Sequence, residues 1–309
     1  MINDITTAGL SNFQQKAANV WQVTAGGQLY VVKLEKKPFP KSTGGMPDPN
    51  NRNAWENRLT DLKWATELFL EICKNDRVHP WSRALTGNEV NFLWGKLPGD
   101  TTITQDRPKT LATISDWVSD LTCFADCLKP AKAGALISLR SLLGGMGGKG
   151  DQVSLHTLGR GFALDVFLGN SDRIFCDPEL PKGKVDSFVV NLDNFFLQTP
   201  KSGPNSIFYI DFWDPNSDYN SKHSFFSSYN QEEVRNKYVG PLLSKDAGRR
   251  TLIGALKSEL LKVLNINAIN ENAIADGMKS ATADLGKYLK KDKINPHIKR
   301  RLDACGIKV

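Results

Sequence analysis

The segment GFALDVFLGNSDRIF, residues 161–175, joins an apolar run to a carboxylate and a guanidinium. The run is rich in Leu, Val and Phe, and it breaks at Gly-Asn-Ser just before Asp172 and Arg173. A side chain carried on a packed helix is held more firmly than one on a free loop. We therefore predict that a buried helix over 153–168 anchors a catalytic loop and holds Asp172 at a cleft. The alternative is that the run simply reaches solvent there.

Two further oxygen-bearing side chains stand at the ends of apolar strand patterns. Asn194 opens an apolar strand in NLDNFFLQ, and Asp211 follows four apolar or aromatic residues in FYIDFWDP. Burying such a carboxylate is costly unless it is paired or bound to a metal. The turn-forming TPKSGPN between the two strands predicts a hairpin. Because Mg²⁺ prefers oxygen ligands, Asn194 and Asp211 are the predicted metal ligands.

A candidate cation for phosphate binding lies near the start of the chain. Residues 19–34, NVWQVTAGGQLYVVKL, alternate in polarity around Gly26-Gly27, a pair that accepts the positive φ angles of a tight turn. This pattern predicts a β-hairpin with Lys33 near the end of its second strand. A lysine there can reach from a rigid strand into a cleft.

The segment after this hairpin predicts a helix that could hold the lysine in place. In AWENRLTDLKWATELFLEICKN, residues 54–75, apolar residues recur at helical spacing. Glu67 and Glu71 lie one turn apart on it. We prefer Glu67 as the partner of Lys33 because it is nearer the middle of the helix, and Glu71 remains the alternative. Two short strands are expected next, over 83–86 and 90–95.

The remainder of the chain has mostly helical patterns. Apolar spacing predicts helices over residues 110–128, 134–143, 153–168 and 251–264. Together with the β-rich start, this order predicts an α+β fold with two lobes. The expected boundaries are 1–99 for a small β-rich N-lobe and 100–309 for a larger, mainly helical C-lobe.

Composition narrows the class of protein. The 309-residue chain has a net charge of +7, which favours anionic partners, and its basic tail, KYLKKDKINPHIKRR, could dock on anionic lipid or nucleic acid. Its five scattered cysteines, without a CxxC, argue against a disulfide framework or a zinc site and favour a reducing compartment. We find neither a signal-peptide core nor an apolar stretch of membrane-spanning length. We therefore expect a cytoplasmic protein without stable membrane insertion.

The motifs FLGNSDR, DNFFL and YIDF, in that order, resemble the catalytic signatures of the phosphatidylinositol 3-/4-kinase-like and HipA-like atypical kinases. The resemblance implies a two-lobed protein-kinase-like fold and an ATP- and Mg²⁺-dependent transfer of phosphate. It implies that Asp172 orients or deprotonates the acceptor hydroxyl and that Asn194 and Asp211 bind Mg²⁺. Lys33 would hold the ATP phosphates and be steadied by Glu67.

The chain departs from this family in the spacing of its catalytic loop. Twenty-one residues separate Asp172 from Asn194, where the family has only a few. The extra residues, 174–190, must loop out or form an element of their own. Asn191 is therefore an alternative metal ligand.

A second departure concerns the loop that would cover the phosphates. The segment TAGLSNFQQKAAN, residues 7–19, has a single glycine, Gly9. Such a loop would have to use backbone amides together with Ser11 and Asn12. This composition leaves room for a pseudokinase that binds partners without transferring phosphate.

The function predicted from the sequence is a protein Ser/Thr kinase of atypical type, whose acceptor could include the chain itself. A phosphatidylinositol or small-molecule acceptor, transfer of AMP instead of phosphate, and a pseudokinase scaffold are the alternatives. The lack of a membrane-insertion device counts against a lipid acceptor.

Overall fold

A computed structural model describes eight stretches of the chain. They are residues 2–35, 67–73, 81–104, 110–144, 150–168, 173–176, 188–209 and 243–288. The chain divides into two compact units, one of Met1–Leu70 with Pro80–Val118 and one of Glu71–His79 with Ser119–Val309. The first contains an antiparallel sheet and the second is largely helical, which confirms the α+β class. The kinase-like lobes over 1–99 and 100–309 stay predictions.

A five-stranded antiparallel sheet forms the body of the first unit, in the order β1-β2-β3-β5-β4. Its strands are β1 (Ser11–Ala17), β2 (Val20–Ala25), β3 (Gln28–Leu34), β4 (Ser82–Ala84) and β5 (Ala112–Asp116). Trp21, Val23, Val32 and Ile114 are fully buried within it. Alternate residues of a strand point to one face, so this apolar alternation gives the sheet its core side. Residues 67–73 are helical and fall between β3 and β4 in the chain.

The predicted hairpin is confirmed as β2 and β3. Gly26 and Gly27 have φ angles of 55° and 78°, and the pairing closes at Ala25 and Gln28. Two consecutive positive φ angles give a turn whose twist matches that of the flanking strands.

The segment expected to be a phosphate-covering loop is mostly strand β1. Its sequence, SNFQQKA, has a single large apolar residue, and all of its residues except Phe13 are exposed. The period-two pattern therefore gives no signal. Pairing with β2 at the edge of the sheet is what makes it a strand.

The first unit has a short first helix, α1 (Ile5–Ala8), and a second helix, α2 (Gly87–Trp94). Residues 90–95 were expected to form a strand, and this prediction is wrong because residues 90–94 belong to α2 and Gly95 is its C-cap. Thr86 caps α2, and the Thr86 amide donates a hydrogen bond to the Glu89 carboxylate. This capping box, Thr-Gly-Asn-Glu, is a helix-start signal that outweighs the apolar alternation after it.

Glu89 also ties this helix to other parts of the first unit. Its carboxylate accepts hydrogen bonds from both terminal nitrogens of Arg83, at 2.6 and 3.0 Å, and from the Ile5 amide at 3.1 Å. Burial alone would raise the pKa of Glu89, but hydrogen bonds from Arg83, Thr86 and Ile5 lower it from 4.5 to about 2.

We expect the first unit to lose stability in acid through Glu89. A carboxyl whose pKa is depressed in the folded state stabilises the fold above its unfolded value, here 4.5, and that contribution is lost as the pH falls toward 2. The shift corresponds to about 3 kcal/mol. Six of the seven tryptophans belong to this unit, so urea unfolding followed by tryptophan fluorescence reports on it.

The matched variant for this titration is Glu89→Gln. It should be less stable than the wild type at pH 6, and the difference should shrink as the pH approaches 2. A difference that stays constant from pH 6 to pH 2.5 would contradict the role given to Glu89.

Among the described residues, the second unit contains four long helices and two small sheets. Its helices are α3 (Ala133–Leu143), α4 (Gln152–Leu168), α5 (Asp246–Leu264) and α6 (Glu271–Tyr288). Its strands are β6 (Leu121–Cys123), β7 (Ile174–Cys176), β8 (Phe188–Val190), β9 (Phe195–Gln198) and β10 (Ser206–Tyr209). One sheet has the order β10-β9-β6, and β7 pairs with β8 alone. The predicted helix over 153–168 and the hairpin β9–β10 are confirmed.

One expectation for the middle of the chain is wrong. Residues 110–128 were expected to form a helix, but they contribute strands β5 and β6 and a 3-10 turn at Ala125–Leu128. The β-branched residues in TLATISDWVSDLT and their pairing with β3 and β9 favour strands over the helical spacing.

Helices α4 and α6 make a close contact that depends on glycine. A Cβ on Gly159 would overlap the carbonyl group of Ile274, and a Cβ on Gly277 would overlap that of His156. Arg160, next to Gly159 in α4, donates a hydrogen bond to Ser280 at 2.7 Å and one to Asp284 at 3.0 Å. The contact fixes α4, which leads to the candidate catalytic loop.

Candidate functional site

Two of the predicted site residues, Asp172 and Asp211, lie outside the described residues. Arg173 directly follows Asp172, and Tyr209 ends β10 two residues before Asp211. Both neighbours belong to the second unit and are fully buried. Arg173 and Tyr209 are thus the described residues nearest in the chain to Asp172 and Asp211.

Arg173 forms an ion pair inside the second unit. Its Nε lies 2.7 Å from Oδ2 of Asp165, and both side chains have an exposed fraction of 0%. Asp165 belongs to α4 and precedes the end of that helix by three residues. Two charges without water are costly to bury, and removing one partner leaves the other uncompensated. The pair therefore ties the chain at residue 173 to the last turn of α4.

The same guanidinium contacts the two segments that lead to the predicted metal ligands. Nη1 of Arg173 donates a 2.7 Å hydrogen bond to the carbonyl oxygen of Asn194. Its central carbon lies 4.9 Å from the ring centroid of Tyr209 in β10 and 5.8 Å from that of Phe195 in β9. The side chain that directly follows residue 172 thus contacts the strand that ends two residues before residue 211. It also contacts the turn that carries Asn194. We call Asp165, Arg173 and Tyr209 the arginine junction.

Tyr209 is held from its other side by α4. Its hydroxyl donates a 2.5 Å hydrogen bond to the carbonyl oxygen of Leu158, and its ring occupies the space that a side chain on Gly161 would need. Burial raises the pKa of Tyr209 well above 10.0, the Asp165 charge raises it further, and Arg173 opposes both. The phenol is therefore a neutral hydrogen-bond donor at physiological pH.

The two candidate amide ligands lie in one short turn. Asn191 caps the 3-10 turn Leu192–Asn194, because its side-chain oxygen accepts a 3.1 Å hydrogen bond from the Asp193 amide. Asn194 is half-buried and ends that turn directly before β9. The choice between Asn191 and Asn194 stays a prediction. The capping bond gives the oxygen of Asn191 a structural role of its own.

The long segment between the predicted catalytic loop and this turn begins and ends in a β-ladder. Strands β7 and β8 pair antiparallel from Ile174 with Val190 to Cys176 with Phe188. The Asn191 amide then donates to the Arg173 carbonyl at 2.9 Å. This ladder returns the chain to the arginine junction in spite of the 21 intervening residues.

Lys33 belongs to the first unit and lies on β3 as predicted. Its Nζ is 3.4 Å from Oε2 of Glu35, and the side chains of Lys33 and Glu35 are 26% and 8% exposed. Thr113, opposite Lys33 on β5, donates a 2.8 Å hydrogen bond to Oε1 of Glu35. Glu35 is therefore a carboxylate held in place beside the partly exposed side chain of Lys33. Glu35 follows Lys33 by two residues, a spacing that puts both side chains on one face of an extended chain. This spacing is the sequence signal that could have identified Glu35.

The other three predicted nucleotide contacts also belong to the first unit. Glu67 is exposed in the helical stretch 67–73, and its pairing with Lys33 stays a prediction. Ser11 and Asn12 begin β1, where Asn12 has a φ of 52° and donates a 3.3 Å hydrogen bond to Thr24. Their contact with phosphates likewise stays a prediction.

The described residues contain neither a membrane-spanning helix nor a cluster of metal-ligating side chains. None of their helices is long and apolar enough to cross a bilayer. Within the same residues, no group of three or more His, Cys, Asp or Glu side chains is arranged to hold a metal ion. Asp172 and Asp211 are not among these described residues.

Comparison with known proteins gave no match to a family model, to a curated protein or to a solved structure.

Proposed function

We propose that this chain is an ATP- and Mg²⁺-dependent phosphotransferase of atypical kinase type, acting in the cytoplasm on Ser or Thr hydroxyls of proteins, its own included. The observation that carries the proposal is the arginine junction. Arg173 contacts the turn of Asn194 and the strand that leads to Asp211, and it directly follows Asp172. Phosphoryl transfer needs a group that orients the hydroxyl and oxygen ligands for metal, placed close together.

The first unit supports the same proposal. Along the chain, the β-hairpin with Lys33 is followed by helical residues and then by strands β4 and β5 with α2 between them, and the resemblance to atypical kinases implies such a hairpin, helix and pair of strands. The side chain of Lys33 is 26% exposed, and Glu35 lies 3.4 Å from its ammonium.

In the proposed reaction, the acceptor hydroxyl oxygen forms a bond to the γ-phosphorus of ATP. The bond between that phosphorus and the β–γ bridging oxygen breaks, and ADP leaves. Asp172 orients the hydroxyl and accepts its proton, while Lys33 holds the phosphates. Asn194, whose half-buried amide offers an oxygen donor, and Asp211 would hold Mg²⁺. The metal ion supplies positive charge that neutralises the transferring phosphoryl group.

The experiment that tests this function compares γ-labelled with α-labelled ATP. Purified protein, with Mg²⁺ and a cell lysate as acceptor source, should incorporate the γ-label into protein and lose this activity in Asp172→Ala. Label from α-labelled ATP would indicate AMP transfer, and γ-label in the lipid extract would move the acceptor from protein to lipid. Absence of label in every fraction contradicts the proposal.

A pseudokinase scaffold is the second candidate, and strand β1 is the observation that favours it. The segment expected to cover the phosphates is mostly strand, and it contains only Gly9 as a flexible residue. A scaffold predicts that Asp172→Ala retains the biological effect of the wild type. It also predicts that ATP raises the unfolding temperature without any transfer of label, or leaves it unchanged.

A further inference from the structure

Asp165 is a buried carboxylate that the catalytic motifs do not include. It lies in the apolar sequence FALDVFL of α4 and is fully buried. A carboxylate in such surroundings is retained only with a charged or hydrogen-bonded partner, and Arg173 supplies one at 2.7 Å. An apolar residue would fill this position of the helix at a lower desolvation cost.

The contacts of Arg173 show what its pairing with Asp165 accomplishes. Asp165 engages Nε, which leaves Nη1 directed at the carbonyl of Asn194 and the plane of the guanidinium beside the Tyr209 ring. A planar guanidinium held at one nitrogen has a fixed orientation for its other donors. Asp165 therefore sets where Arg173 can hold the turn before β9 and the end of β10.

We infer that Asp165 is a positioning residue that acts through Arg173 to fix the chain at residue 173, the Asn194 turn and the end of β10 as one unit. The inference rests on the proposed function where it concerns catalysis. Positioning of the three segments is a physical claim that can be measured without activity.

The expected effect on the reaction is a split between kcat and KM. Asp165→Asn should lower kcat more than it raises the KM for ATP, because Lys33, which would hold the phosphates, belongs to the first unit and Asp165 to the second. The kcat should fall about 100-fold, because small displacements of reacting groups have effects of that size. A parallel measurement is amide hydrogen exchange, which should be faster in peptides covering 173–176, 188–196 and 206–209, and unchanged in β2 and β3.

Two further variants separate positioning from stability. Asp165→Leu combined with Arg173→Met replaces the ion pair by apolar side chains, which restores stability in other proteins with buried pairs. We expect its unfolding temperature to approach that of the wild type, while kcat stays low and exchange in the three peptides stays fast. Tyr209→Phe keeps the ring beside the guanidinium and removes only the bond to Leu158, so Arg173 should keep its contact with the Asn194 turn and exchange in the 188–196 peptide should stay as slow as in the wild type.

The outcomes distinguish this inference from the proposed function. Recovery of kcat and slow exchange together with stability in the double variant would show that the pair only stabilises the fold, and would overturn the inference. Unchanged exchange in Asp165→Asn would overturn it as well, whether or not the wild type is active. If the wild type transfers no phosphate while Asp165→Asn exchanges faster in the three peptides, the phosphotransferase proposal fails and the positioning role stands.

Discussion

Gly277→Ala is expected to lower the free energy of unfolding of the second unit by about 2–3 kcal/mol, in spite of the better helix propensity of alanine. The new Cβ would overlap the carbonyl oxygen of His156 and lie 2.8 Å from its carbonyl carbon. Both are backbone atoms of α4, so no side-chain rotation can relieve the overlap. The helices α4 and α6 would have to separate, and the contacts of Arg160 with Ser280 and Asp284 would lengthen.

Gly134→Ala is the matched control for this substitution. Gly134 also belongs to a helix, α3, and a Cβ there meets no atom within 4 Å. Alanine at that position should therefore stabilise the helix by up to about 1 kcal/mol. Thermal unfolding followed by circular dichroism at 222 nm compares the two variants with the wild type. Equal shifts of the unfolding temperature in both would contradict a tight contact of α4 with α6.

The close contact of these helices could not be predicted from the sequence. Gly159 and Gly277 each stand within a helical pattern, where a glycine lowers helix propensity, and neither pattern indicates which helix is the partner. In contrast, local chemistry predicted the β2–β3 hairpin and α4. Gly26-Gly27 demands a tight turn, and a long apolar stretch has few alternatives to a buried helix.

The failed fold predictions have local and long-range causes. Over residues 90–95 the alternation of Val90, Phe92 and Trp94 suggested a strand, although the Thr86 capping box already indicated a helix start. Strand β1 is mostly polar and exists through pairing with β2, which no local pattern reports. Sequence periodicity describes one element at a time, and edge strands depend on their neighbours.

The candidate site was predictable in its residue types and less so in its contacts. The motif around residue 172 drew attention to the carboxylate, whereas the residue that the structure describes there is Arg173, whose side chain is fully buried. The presence of Asp165 in an apolar helix was the available signal that a buried cation lies nearby. Which residue supplies that cation depends on how β9 and β10 pack near α4, and this is a long-range arrangement.

Lys33→Met is expected to reduce phosphate transfer about 1,000-fold, because it removes a fixed positive charge from the phosphates where negative charge develops. The fold should be little affected, since the side chain of Lys33 is 26% exposed and a methionine can occupy a similar volume. Lys16→Met, on the exposed strand β1, is the control for a general loss of positive charge. Steady-state transfer of γ-label and ATP-dependent thermal shifts would be measured for both variants.

The carboxylate that holds Lys33 can be identified in the same assay. Glu35 is fixed by Thr113 and lies 3.4 Å from the ammonium, whereas Glu67 is exposed, so Glu35→Gln should raise the KM for ATP more than Glu67→Gln. We expect a rise of about tenfold, equivalent to roughly 1.4 kcal/mol of lost interaction. Glu71→Gln is measured beside them. A rise confined to Glu67→Gln or Glu71→Gln would return the role to the helix and leave Glu35 as a structural partner of Thr113. Since Glu35 directly follows β3 and Lys33 lies near its end, a rise confined to Glu35→Gln would mean that the end of one β-strand carries both the cation and the group that orients it.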